Sequence, residues 1–299
     1  MKKYVITGAT GRIGNILTRE LLPKGNEVCA VGRSVEKLLD LEALGAKIYK
    51  GDINDRAFVT KAFQGADAVF CLLTPDMHSS DVRAEQKRIA DNFLQAVKEN
   101  QVKNVVLLSS VGAQLRNGAG IVDGLGYMEE IFLQLKDVNV LNLRPAYFME
   151  NSFGLINTIE HMGIAGTPLN GKVKIPMVAT KDIAAVAAKY LLSLTFKGNT
   201  IQYVLGPKDY TQEEITNIIG REIDKPDLKY VQFPYDDAVK AMISSGFCSE
   251  NVAKQMIELN KAINEGNFLE PNIRNEQNST PTTFEEFAKS FSMMVHQHS

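Results

Sequence analysis

The chain has 299 residues, a net charge of −2, 44% hydrophobic residues and 23% charged residues. That length can bury a large α/β core with an appended lobe, and the composition excludes disordered and fibrous classes. No Lys/Arg block forms a basic arm, so a small-molecule ligand is expected and nucleic-acid binding is not.

Cys29, Cys71 and Cys248 lie far apart with no CxxC pair, which points to a reducing compartment. Cys71, near the ligand edge of a predicted strand, reads as a buried hydrophobe in preference to a reactive thiol. The histidines show no metal-ligand spacing apart from His296 and His298 in the tail, and no metal is expected. The first predicted strand begins at Lys3 and no apolar run is long enough to span a bilayer. Neither a secretion signal nor a membrane span is therefore expected, and a cytoplasmic location follows.

In chain order, apolar runs at Tyr4–Thr7, Glu27–Val31, Lys47–Tyr49, Ala68–Leu73, Asn104–Ser109 and Val140–Leu143 predict six strands. Most are nearly continuous in Val, Ile and Leu, as in a parallel sheet covered by helices on both faces. Between them the spacing predicts helices, clearest in Ile89, Ala90, Phe93, Leu94 and Val97. The repeated βα units predict a Rossmann-type doubly wound α/β sheet. After Arg144-Pro145 the rhythm breaks at Gly163, Gly166, Pro168, Gly171 and Pro176, then resumes with a helix at Lys181–Leu194 and a strand at Ile201–Val204. A capping box begins at Thr211, a strand follows at Lys229–Phe233, and helices run from Tyr235 to Glu265. Residues Pro271–Pro281 predict a loop before a last helix from Thr283, docked by Phe284 and Phe287. The expected organisation is a dinucleotide-binding domain over residues 1–150, which can recruit parts of 171–205, and a smaller, mostly helical substrate lobe over 151–299.

The strongest local motif is Val5-Ile6-Thr7-Gly8-Ala9-Thr10-Gly11-Arg12-Ile13-Gly14, a strand entering three spaced glycines and then a helix. Gly8 permits the sharp turn, Gly11 lets backbone N–H groups approach a pyrophosphate, and Gly14 allows close helix–sheet packing. The helix N-terminus favours the phosphate charge, so Gly8, Thr10, Gly11, Arg12 and Ile13 are candidate cofactor-binding residues. At the end of the second strand stands Gly32-Arg33-Ser34, without the carboxylate that accepts from the ribose 2′-OH of NAD. Arg33 and Ser34 instead suit a 2′-phosphate, which favours NADPH, with NADH as the alternative. Asp52 either accepts from the adenine amino group or caps the helix near Asp55. Leu73 and Thr74 would pass beside the cofactor at the carboxyl edge of the sheet.

Gly8–Gly14, Gly32-Arg33-Ser34, Gly51-Asp52, Ser109-Ser110-Val111-Gly112, Leu143-Arg144-Pro145 with Phe148 and Asn151, Tyr210–Glu214 and the closing Thr283–Phe287 together resemble the NmrA-like group of atypical short-chain dehydrogenases. The resemblance implies an NADPH-dependent quinone reductase, an enzyme similar to isoflavone reductase, or a redox-sensing regulator that binds the dinucleotide. Ordinary short-chain dehydrogenases pair Tyr-x-x-x-Lys on one helix to move a proton. Here Tyr127 is followed by Ile131, so that pair is absent from this predicted helix and sugar-nucleotide epimerase chemistry is disfavoured. The resemblance places Glu130 where the group's quinone reductases carry a glutamate, either to position substrate or order the loop, or simply as an exposed helix residue.

Tyr127 can still donate a hydrogen bond to a substrate oxygen, with Ser110, Phe148 and Asn151 as substrate contacts. Ser109 either touches the nicotinamide ribose or caps its strand. The long Gly112–Gly126 segment either closes over a ligand or is disordered. The leading expectation is an NADPH-dependent oxidoreductase acting on a quinone or conjugated carbonyl, as a monomer or homodimer. The alternative is a non-catalytic dinucleotide sensor.

Overall fold

The computed structural model describes residues 1–266, 268 and 274–298, with side chains described as far as Met294. The first half runs β1 (Lys3–Thr7), α1 (Arg12–Leu21), β2 (Glu27–Gly32), α2 (Val35–Glu42), β3 (Lys47–Lys50), α3 (Arg56–Ala62), β4 (Ala68–Leu72), α4 (Val82–Glu99), β5 (Asn104–Leu108), α5 (Asp123–Phe132) and β6 (Asn139–Pro145). Then follow β7 (Tyr147–Phe148), α6 (Ile156–Met162), β8 (Ile164–Thr167), β9 (Ile175–Val178), α7 (Thr180–Ser193), β10 (Asn199–Val204) and β11 (Asp209–Tyr210). The chain closes with α8 (Gln212–Glu222), β12 (Lys229–Gln232), α9 (Tyr235–Ser244), α10 (Glu250–Asn264) and α11 (Phe284–His298).

The main sheet is parallel in the order β10-β6-β5-β4-β1-β2-β3, a Rossmann-type doubly wound arrangement. Successive strand residues point to opposite faces, so β1 sends Tyr4 and Ile6 to one core and Val5 to the other. The first core is closed by Ile13, Leu17 and Leu21 of α1 and by Ile183, Ala187 and Leu191 of α7. Val59 of α3, Phe93 and Val97 of α4, and Phe132 of α5 close the second. Both faces are covered, which is why the strands lack polar alternation.

A third core holds the lobe, with Ile159, Tyr210, Ile215 and Ile219 packed against Phe284, Phe287 and Phe291 of α11. The lobe is mostly helical, with short strands beside its helices. It contains a β11-β9-β7 sheet and a β12–β8 pair, and Gly163 (φ 69°) turns the chain out of α6 into β8. Its capping box forms as read: the Thr211 hydroxyl accepts from Glu214 N–H at 3.1 Å, and Glu214 accepts from Thr211 N–H at 2.8 Å. Neither the lobe nor the main sheet is continuous in sequence, because β10 returns to pair with β6 and α7 lies on α1.

Within the expected loop over 271–281, positions 271–273 lie outside the described residues. From Asn275 onward the chain forms a turn whose Asn278 carbonyl accepts from Leu205 N–H at 2.8 Å. The side chains of His296 and His298 also lie outside those described. Among the described residues no helix is long and apolar enough to cross a membrane, and no cluster of metal-ligating side chains is found.

Candidate functional site

The turns after β1, β2, β3 and β4 converge on a cleft of about 190 Å³ lined by Gly8, Thr10, Gly11, Val31, Gly32, Arg33, Gly51, Ile53, Leu72 and Thr74. It opens at the carboxyl edge, at the switch point where the chain crosses from β3, on the β2 side of β1, to β4 on the other side. The glycine turn is built for close approach. Gly8 is left-handed at φ +66°, and a Cβ on Gly14 would stand 2.3 Å from the Gly8 carbonyl oxygen. Gly11 N–H donates to that carbonyl at 2.9 Å, and Ala9 N–H donates to Val31 at 3.0 Å, locking the loop between β1 and β2.

Gly11 is the N-cap of α1 and offers no side-chain cap, while the first turn carries no acidic residue. The first-turn N–H groups and the helix dipole are therefore available to an anionic ligand. Ile13 contributes only backbone to this edge, since its side chain is buried in the first core. Arg12 leans over the Phe153 ring at 5.3 Å, tying the glycine loop to the lobe.

Arg33 is exposed at the cleft and has no hydrogen-bond or ion-pair partner among the described residues. Ser34 starts α2 without using its hydroxyl as a cap. Asp55 is itself the cap of α3, accepting from Ala57 N–H at 2.9 Å and Phe58 N–H at 3.2 Å, so that task does not fall to Asp52. Asp52 accepts from the Asn54 backbone at 2.9 Å and its side chain at 3.1 Å, both at Oδ1.

Asn54 also donates to the buried Glu85 at 3.1 Å, and Glu85 accepts from Asp76 N–H at 3.2 Å. This chain of bonds couples the Asp52 turn to the loop after β4, and nothing in the spacing of these residues announces it. Thr74 lines the cleft and so does Leu72, whereas the Leu73 side chain turns into the second core. The strand pleat explains that correction, because adjacent residues face opposite sides.

The side chains read as catalytic and ribose contacts all have partners within the protein. The Tyr127 hydroxyl donates to Asp91 of α4 at 3.0 Å, and Lys87 sits over its ring at 5.4 Å. Burial first, then the Asp91 bond and nearby negative charge, push this phenol above its ordinary value, and its proton is already engaged on the helical layer. Glu130 is exposed and pairs with Arg116 at 3.2 Å. The buried glutamate is its neighbour Glu129, which accepts from Arg144 Nη2 at 2.6 Å and Nε at 3.0 Å and also from the Ser109 hydroxyl. The Ser109 hydroxyl thus spends its proton on a buried carboxylate of α5.

Burial opposes the charge on Arg144, but the Glu129 bonds and charge outweigh it and hold the guanidinium protonated. Ser110 donates to the Val111 carbonyl at 2.7 Å. Phe148 pairs with Val178 on β9 and is half-buried, while Asn151 is exposed. The Gly112–Gly126 segment is pinned rather than free: Asp123 accepts from Ala119 N–H at 2.9 Å and from Arg83 at 2.6 Å. A Cβ on Gly120 would stand 2.0 Å from the Gln255 carbonyl of α10.

A glycine-turned strand–helix junction, facing a cleft at the switch point of this sheet, defines a Rossmann-type α/β protein whose first βα turn leaves the N-terminus of α1 without a side-chain cap. The NmrA-like family matches residues 1–288, and the chain belongs to that family. It is 27% identical over 259 residues to the NAD(P)H azoreductase of Xenophilus azovorans, covering 85% of each chain. It is 26% identical over 235 residues to quinone oxidoreductase 2 of Escherichia coli, covering 76% of this chain and 78% of that protein. The crystal structure of an NADPH-dependent quinone oxidoreductase complexed with NADPH from Escherichia coli superimposes with a TM-score of 0.80 at 21% identity, covering 96% of this chain and 99% of the other.

Proposed function

We propose that the protein is an NADPH-dependent oxidoreductase that reduces a quinone or a similar conjugated carbonyl. The observation that carries the cofactor choice is the unpaired Arg33 beside Ser34 at the cleft, with no carboxylate at the end of β2. A guanidinium binds a 2′-phosphate through parallel N–H donors, whereas NAD-preferring sites place an acid there. The uncapped amides of α1 at Gly11–Ile13 hold the pyrophosphate, Asp52 faces the adenine, and Thr10 and Thr74 close the cleft. The cradle fits the group, because Gly8 and Gly14 leave the backbone open where side chains would collide.

When bound, the nicotinamide supplies hydride. The chain's part is to align the acceptor, with Phe148 and Asn151 on the lobe side and the Ser109–Gly112 turn on the sheet side. Named reductases among the relatives support this reading over the non-catalytic sensor. The test is steady-state loss of reduced-nicotinamide absorbance with a panel of quinones and azo dyes. Turnover with NADPH exceeding that with NADH is expected; tight NADPH binding without reduction of any acceptor would refute it.

A further inference from the structure

We propose that Glu85 is the positioning residue for the adenosine half of the cofactor, its buried carboxylate tying together the two turns that flank that half; this rests on the NADPH reading above. In the sheet order β4-β1-β2-β3 the turns after β3 and β4 leave strands three spacings apart, about 14 Å at the usual interstrand distance. Both turns nonetheless line one cleft, with Gly51 and Ile53 from the first and Leu72 and Thr74 from the second. They lie beyond the strand ends, where sheet pairing no longer holds them, so another element has to set the width between them.

Helix α4 supplies it. Spacings of three and four place Glu85, Arg88 and Asn92 on one stripe of the helix. Asn92 donates to the Ile53 and Asn54 carbonyls, both at 3.0 Å, and Arg88 donates to Asn54 Oδ1 through Nη2 at 2.9 Å and Nε at 3.1 Å. These two hold the turn after β3. Glu85 also reaches the other turn: Oε1 accepts from Asn54 Nδ2 at 3.1 Å, and both carboxylate oxygens accept from Asp76 N–H at 3.2 Å, two residues beyond Thr74. The buried Asp123 and Glu129 are each matched by an arginine. Glu85, as deeply buried, gives its charge to these N–H donors and to the first turn of α4. A charge-assisted bond at each end makes the side chain a strut between the turns. The protein itself thereby sets the cleft's width, and binding energy need not be spent on ordering the two turns.

Isothermal calorimetry with NADPH, NADH and 2′,5′-ADP, the last a probe of the adenosine half without the nicotinamide, tests this. Glu85→Ala frees both turns, and affinity for all three should fall about ten- to thirtyfold, with the NADPH/NADH preference kept. Glu85→Gln, whose amide oxygen can accept at both ends, should stay within about threefold of wild type. Arg88→Ala removes an exposed brace on Asn54 and should weaken NADPH about two- to fivefold. Wild-type affinities in Glu85→Ala, or in Arg88→Ala where Glu85→Ala does not fold, overturn the proposal alone. A Glu85→Gln protein as weak as Glu85→Ala does the same, as does an NADPH deficit that 2′,5′-ADP does not share. A wild-type protein that binds none of the three overturns the NADPH reading and this proposal with it.

Discussion

Replacing Arg33 by Glu should convert a discriminating attraction into a repulsion. The guanidinium is exposed and unpartnered at the cleft, so no internal salt bridge is lost and stability should hold. A unit charge pair at about 4 Å is worth about 1 kcal/mol in bulk water and about 4 kcal/mol at an effective dielectric of about 20. The exposed rim favours the lower part of that range, about 1–1.5 kcal/mol, and reversing the sign brings the change to about 2–3 kcal/mol. At about 1.4 kcal/mol per tenfold, NADPH affinity should drop about thirty- to hundredfold. NADH, lacking the 2′-phosphate, should stay within about threefold of wild type or gain from a carboxylate facing its 2′-OH. Fluorescence titration of both nucleotides at two salt concentrations measures this, and the NADPH deficit should shrink as salt rises. An unchanged NADPH/NADH preference would refute the role given to Arg33.

Gly14→Ala forces a Cβ to within 2.3 Å of the Gly8 carbonyl oxygen and 2.9 Å of Ala9 Cα, both backbone. A loss of about 1–3 kcal/mol in stability with a collapse of nucleotide affinity is expected, read by thermal melting and titration; a variant that binds normally contradicts the close packing. Glu129→Ala leaves the Arg144 charge buried without its partner and should destabilise by about 3–5 kcal/mol in urea unfolding. Because Glu130 is exposed and pairs with exposed Arg116, Glu130→Ala should change almost nothing. Burial pushes the Cys71 thiol far up, so its thiolate is scarce at mildly alkaline pH. Iodoacetamide should therefore label Cys71 at least about a hundredfold more slowly in the native protein than in urea, and fast native labelling by mass spectrometry would contradict its burial.

The parts of this molecule that depend on short-range rules were readable from residues alone. Runs such as Val105–Leu108 mark strands buried on both faces, and Gly8, Gly11 and Gly14 mark a turn where Cβ atoms do not fit. The candidate catalytic side was harder, because it depends on how a helix is rotated. Glu129 and Glu130 differ by about 100° around α5, enough to put one carboxylate on Arg144 and the other on exposed Arg116. The same rotation aims Tyr127 at Asp91. Ser109 ends a strand, where one residue of register decides between ligand and core. The Gly112–Gly126 segment resembles a lid by composition, but its glycines serve close contacts: Gly112 with Phe268, Gly120 with α10 and Gly124 with Gln86. Long-range pairing of that kind leaves little local trace.

The return of the chain to the edge of the main sheet through β10 has a consequence for engineering. A polypeptide truncated after β6 would expose a bare strand flank and strip the α7 cover from α1, inviting aggregation rather than yielding a compact nucleotide-binding fragment. Substrate preference is therefore best exchanged between relatives by transplanting two separate stretches, one between β6 and α7 and one beyond β10, with the intervening helix and strand retained from the host.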